Sequence, residues 1–127
     1  MRYKDAPEAI KWLCKAFGFK EHLVVPNEDG TIAHAQLTFG NGMIMVGSLR
    51  DDEFIEHQKP PSALEGYNSQ SPYIIVEDID KHYNCAVESG AEVIVSLKEQ
   101  DYGGEYYSCK DPEGFLWHFG MLQPLGF

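Results

Sequence analysis

A chain of 127 residues is one ordinary domain, long enough to bury roughly two thirds of the surface its unfolded form exposes. Its 20 Asp and Glu against 10 Lys and Arg give a net charge of −10, which repels phosphate backbones and anionic bilayers and so argues against nucleic acid or a membrane as partner. No apolar run approaches the roughly 18 residues of a membrane span, MRYKDAPEAI lacks the apolar core and cleavage site of a secretory signal, and Cys14, Cys85 and Cys109 form no CxxC pair; these features lead us to expect a cytoplasmic protein with reduced thiols.

In chain order, residues 1–4 read as a short strand. Asp5-Ala6-Pro7-Glu8 then announces a helix, with an Asp N-cap, Pro in the first turn and Glu three after the cap as in a capping box. Ile10, Leu13, Cys14 and Phe17 recur at helical spacing, and Gly18 is placed to close the helix. Strand signals follow at 21–26, 31–39 and 43–48. Pro60-Pro61 and Gly66 mark residues 51–70 as a linker.

The same plan then begins again. Residues 71–76 supply a strand, Val76-Glu77-Asp78 opens a helix with Ile79, Tyr83, Ala86 and Val87 as its apolar stripe and Gly90 as its stop, and strands are expected at 91–97, 105–110 and 115–122. From Asp5 to Asp78 is an offset of 73, while Gly18 to Gly90 and Gly42 to Gly114 are each 72. A nearly constant offset across three punctuation points indicates duplication. The chain is therefore a single domain, 1–127, of two βαβββ modules spanning about 1–50 and 71–127.

This paired plan, together with RYKDAPEAIKWLCKAFGF, HAQLTFGNGMIMVGS and above all DYGGEYYSCKDPEGFLWHFG, resembles the glyoxalase, bleomycin-resistance and ring-cleaving dioxygenase superfamily, also called vicinal oxygen chelate. The likeness is greatest to its small glyoxalase-like bacterial branch. It implies an α+β fold in which the two modules form a curved-sheet cup with the helices outside, and a homodimer whose pockets lie at or near the interface. The short first strand points the same way, since it leaves a sheet edge for a second chain to cover.

In the metal-dependent members, ligands come from the first and last strands of each module. By that resemblance His118 occupies a position normally held by Glu, and Ser71 one where His is expected. The offset of 72 gives Val46 as the counterpart of His118, or Met45 if the register slips by one, and the fourth position would fall before Met1. One credible ligand in four leaves the usual site short of the roughly three protein ligands a catalytic metal needs. No cofactor is therefore expected; a divalent metal held by His118 together with His34 is the alternative.

Strand alternation sorts the remaining polar residues. In 31–39 it puts Ala33, Ala35, Leu37 and Phe39 toward the helix and Ile32, His34, Gln36 and Thr38 toward the cup, opposite Tyr106, Ser108 and Lys110 of the second module. In the last strand Phe115, Trp117 and Phe119 point one way and Leu116, His118 and Gly120 the other. The candidate ligand-binding set is His34, Gln36, Ser71, Tyr73, Tyr106 and His118, hydrogen-bonding groups in an apolar cavity also shaped by the loop at 101–104. The competing reading is that these residues satisfy one another across strands.

His22, His57 and His82 read as surface residues, Trp12 and Trp117 as filling helix–sheet interfaces, and the cysteines as buried structural thiols. Two functions remain. One is a small-molecule binding protein with a metal-free cup, like the bleomycin-resistance branch; the other is a divalent-metal lyase or isomerase of glyoxalase type, or a dioxygenase.

Overall fold

A computed structural model describes residues 1–99 and 104–121, so most of the loop at 101–104 and Leu122 of the last expected strand lie outside the described residues. The elements run β1 (Arg2–Tyr3), α1 (Ala6–Phe17), β2 (Lys20–Pro26), β3 (Ile32–Phe39), β4 (Gly42–Ser48), a 3-10 turn (Pro61–Leu64), β5 (Tyr73–Ile75), α2 (Ile79–Glu88), β6 (Glu92–Glu99), β7 (Glu105–Lys110) and β8 (Leu116–Gly120). They build two four-stranded sheets, ordered β1-β4-β3-β2 and β5-β8-β7-β6. In each, a parallel outer pair adjoins an antiparallel meander. The fold is α+β with two βαβββ halves and open sheets.

Both helices start at an Asp. Asp5 accepts from the Glu8 backbone N–H at 3.3 Å, and Asp78 from that of Lys81 at 3.2 Å, each satisfying a donor that the first turn would otherwise orphan. The expected capping box at α1 is completed from elsewhere. Glu8 turns to Lys11, and the Asp5 N–H donates instead to Glu113 of the second half at 2.9 Å. Gly18 closes α1 with φ +83, a left-handed conformation that favours glycine, and its N–H reaches the Cys14 carbonyl.

The two halves share one core. Leu13, Phe17, Ala35, Leu37 and Val46 from the first meet Tyr107, Cys109, Trp117 and Phe119 from the second, all fully or almost fully buried. Phe17 sits at the joint, with ring centroids 5.4 Å from Trp117 and 4.6 Å from Phe119. Trp12 does not fill a helix–sheet interface as expected. It is half-buried between the helices, donating Nε1–H to the Ser89 carbonyl at 2.8 Å just past the end of α2.

Asp111, in the DPEG turn, is the polar centre of this joint. Oδ2 accepts from the Tyr3 hydroxyl at 2.6 Å and the Trp117 Nε1–H at 3.1 Å, and Oδ1 from the backbone N–H groups of Glu113 and Phe115 at 3.0 Å each. Burial still raises its pKa above the carboxylate norm, and burial beside this carboxylate holds the Tyr3 phenol well above its own.

Four further sequence expectations fail. Ile32 was assigned to the open face, yet it is buried. The β2–β3 register shifts between Val25/His34 and Pro26/Ile32, so a bulge at Ala33 turns Ile32 inward. His82 is not a surface residue. It points from α2 into the joint, taking the Tyr107 hydroxyl at Nδ1 (2.6 Å) and reaching the Phe17 carbonyl with Nε2 (2.8 Å). Ile79, His82, Tyr83 and Ala86 form the true inward stripe, whereas Val87 is exposed. Cys85, finally, is exposed, and only Cys109 is a fully buried thiol.

Candidate functional site

β8 runs between β5 and β7, with His118 opposite Tyr73 on one side and Ser108 on the other. Trp117 and Phe119 are buried against the helices, and alternation places His118 on the open face. There both ring nitrogens are engaged. Ser108 Oγ lies 2.6 Å from Nδ1, and Ser71 Oγ lies 2.7 Å from Nε2. Partial burial lowers the imidazole pKa below the usual histidine value, so the ring is neutral at pH 7.

Tyr73 lies over the same face. A Cβ on Gly120 would collide with the Tyr73 ring and hydroxyl, so glycine at that position is what lets the phenol lie across β8. Tyr106 is half-buried opposite Gly120, with Lys98 Nζ 5.7 Å from its ring centroid. Four of the six candidate residues, Ser71, Tyr73, Tyr106 and His118, therefore gather around β8. His34 and Gln36 do not join them. They lie on β3 in the other sheet, bonded to each other through their Nε2 atoms at 3.1 Å.

The register of the two meanders settles the counterpart of His118. Gln36 opposes Met45 and Ser108 opposes His118. Gln36 to Ser108 is thus an offset of 72, but Met45 to His118 is 73, because the β7–β8 turn carries one more residue than the β3–β4 turn. The counterpart is Met45, 56% exposed, and not Val46, which is 2% exposed and faces the core. With Leu23, Val25 and Met43, it flanks His34 and Gln36 with exposed apolar side chains on the open face of the first sheet.

These donors do not suit a metal ion. His118 has two hydroxyls for neighbours, its counterpart is a thioether, and His34 pairs with an amide in the other sheet. Among the described residues no group of three or more His, Cys, Asp or Glu converges as a metal site would require. Cys109 is equally ill suited to nucleophilic chemistry, since burial pushes its thiol up to about 12.

Beside this Ser71–His118–Ser108 hydrogen-bond chain, a relay, lies a groove of about 910 Å³ between the linker and strands β4 and β8. Ile44, Met45, Phe115 and Leu116 line it from the strands, and residues 56–59, Leu64, Tyr67 and residues 68–71 from the linker, so Ser71 belongs both to the groove and to the hydrogen-bond chain through His118. The linker is fastened over it. Lys110 Nζ donates to the Gly66 carbonyl at 3.0 Å, and Asn68 bonds both the Gly114 carbonyl and the Leu116 N–H. At its start Asp52 takes Arg2 at 2.9 Å and Arg50 at 3.1 Å. Sequence reasoning found neither this groove nor the Asp111 and His82 centres. The signal for His82 was its place three after Ile79 and four before Ala86.

The Glyoxalase/Bleomycin resistance protein/Dioxygenase superfamily model matches residues 1–119. A Mycobacterium bovis protein named only as uncharacterized is 30% identical over 117 residues, 92% of this chain and 76% of its own length. Among solved structures, TioX from Micromonospora sp. ML1 superposes with a TM-score of 0.77 at 30% identity, covering 95% of this chain and 93% of TioX. A glyoxalase/bleomycin resistance protein/dioxygenase family enzyme from Burkholderia phytofirmans PsJN gives 0.68 at 18% identity, covering 97% and 94%, a likeness of fold alone.

Proposed function

The chain belongs to the Glyoxalase/Bleomycin resistance protein/Dioxygenase superfamily, and from that premise we propose that it is a cytoplasmic small-molecule binding protein, working without a metal as a homodimer. The observation that carries this reading is the groove beside β8, apolar along β4 and β8 and polar along residues 68–71, a composition typical of organic-ligand sites. Ser71, with Asn68, Ser69 and Gln70, supplies polar groups of its lining, and His118, Tyr73 and Tyr106 gather beside Ser71 around β8. His34 and Gln36 supply those of the other sheet, which faces a second ligand wall or the partner chain.

The serine partners of His118 and the thioether at its counterpart favour binding over metal-assisted lyase, isomerase or dioxygenase chemistry. Dimerisation is supported by the exposed Leu23, Val25, Met43 and Met45 on one sheet face, and by β1, which pairs through two residues with β4 alone. The test is elemental analysis with native mass spectrometry on purified protein. The expected result is a dimer free of stoichiometric zinc, nickel or iron that retains or takes up an organic guest. One tightly held metal ion per chain, or a monomer across micromolar concentrations in sedimentation, would overturn it.

A further inference from the structure

The Ser71–His118–Ser108 chain has a direction that burial dictates. Ser108 is 2% exposed, and its hydroxyl has one partner among the described residues, His118 Nδ1. A buried hydroxyl proton left without an acceptor is costly, so Ser108 donates to Nδ1. The ring, neutral, then carries its proton on Nε2 and donates it to Ser71 Oγ at 2.7 Å. Ser71 has accepted one bond and keeps its own O–H, and Ser71 is the member of the chain that lines the groove.

We infer that Ser71, polarised by His118 and Ser108 behind it, is the specificity-determining donor of the groove, and that the ligand is an uncharged molecule joining a carbonyl-type acceptor oxygen to an apolar body. The inference rests on the binding reading above and deepens it. Ser71 touches the ligand, while His118 and Ser108 are positioning residues that fix which way its hydroxyl points. Three aligned donors strengthen one another more than an isolated serine could. Ile44, Met45, Phe115 and Leu116 fit the apolar body. An anion is disfavoured at Ser71, because the chain behind it is neutral, Glu56 lines the groove alongside Lys59, and the protein carries a net charge of −10.

The experiment uses full-length protein labelled with 15N in histidine, titrated at pH 7.5 with 2-acetylnaphthalene and, separately, with 2-naphthoate. Long-range 1H–15N correlation of the free protein should show His118 protonated at Nε2 and bare at Nδ1. The ketone should bind at least tenfold more tightly than the carboxylate. Ser71→Ala should weaken ketone binding about tenfold while leaving Nδ1 bare. Ser108→Ala should mix the two tautomers and weaken the ketone several-fold although Ser71 is intact, a response that loss of packing alone would not give. A ring protonated at Nδ1 in the free protein overturns the relay whatever binds, and ketone affinity unchanged by Ser71→Ala overturns the donor role. A groove that takes neither compound overturns the binding reading and the ligand assignment with it, even where the tautomer is as derived.

Discussion

The two halves of the molecule have the same strand order and an Asp N-cap on each helix, yet their open faces carry different chemistry. On β4 the outward positions are Met43 and Met45; on β8 the matching positions are Leu116 and His118. Behind β8, Ser108 and Ser71 complete a polar chain, whereas Gln36 behind Met45 pairs with His34. Their buried faces show no such divergence, both being apolar and both packing into one core. The comparison teaches that the back of each sheet carries the fold and leaves the front free to diverge.

The halves are also unequal in what they lend each other. The DPEG turn of the second half holds Tyr3 through Asp111 and both the Lys4 and Asp5 N–H groups through Glu113. The matching β3–β4 turn, Gly40-Asn41, is exposed and shorter. Asp111→Ala should therefore have the largest effect of any single change here. It strands the buried Tyr3 hydroxyl and Trp117 N–H together, at a cost of about 3 kcal/mol or more, read as a fall in the urea midpoint. The equivalent change in the first turn, Asn41→Ala, should stay within about 0.5 kcal/mol.

Next in size is the contrast within β4. Val46→Ala should cost about 2 kcal/mol in urea unfolding because it opens a cavity between the halves, while Met45→Ala should be close to neutral. If the two costs were reversed, Val46 would be the counterpart of His118 and the second half would not carry the extra turn residue.

The histidines sharpen the comparison through pH. Burial lowers the pKa of His82, and of His118, below the usual histidine value of about 6.5. The unfolded chain therefore takes up protons that the folded one refuses. Stability should be full above pH 6.5 and fall as the pH drops below it toward the folded-state values. His82→Phe should flatten part of that fall in pH-dependent urea melts while lowering stability at pH 7.5 through the loss of its bonds to Tyr107 and Phe17. A slope unchanged in the variant would mean that His82 titrates normally.

Glu113→Gln should cost less than the core changes, about 1 kcal/mol, since the amide keeps one acceptor for the Lys4 and Asp5 N–H groups and loses the charge near the start of α1. Amide exchange should report it, with faster exchange confined to the first turn of α1 and no change at α2.

Much of this was legible in the sequence, because the punctuation that specifies the fold is local. Asp5, Gly18 and Asp78 cap as their residue types dictate, and alternation in FLWHFG was enough to put Trp117 in the core and His118 outside. What was not legible depended on events between strands or between halves. A bulge at Ala33 turned Ile32 inward, one additional residue in a turn exchanged Val46 for Met45, and the approach of α2 to the end of α1 converted a polar-looking His82 into a buried bridge. The groove escaped altogether, because it forms where the linker, patterned only by turn residues, lies back over β4 and β8.

The bond from Tyr3 to Asp111 spans a sequence separation of 108 residues, and that from Lys4 to Glu113 spans 109. On the ribosome, where domains form as the chain emerges at about 5–20 residues per second, β1 is made 108 residues ahead of its anchor. The first half must therefore wait several seconds with its edge and the apolar base of α1 uncovered, until the DPEG turn has cleared the exit tunnel. Folding of the first half is thus completed only once the second half has been made, and the nascent first half is the species most in need of shelter by a chaperone.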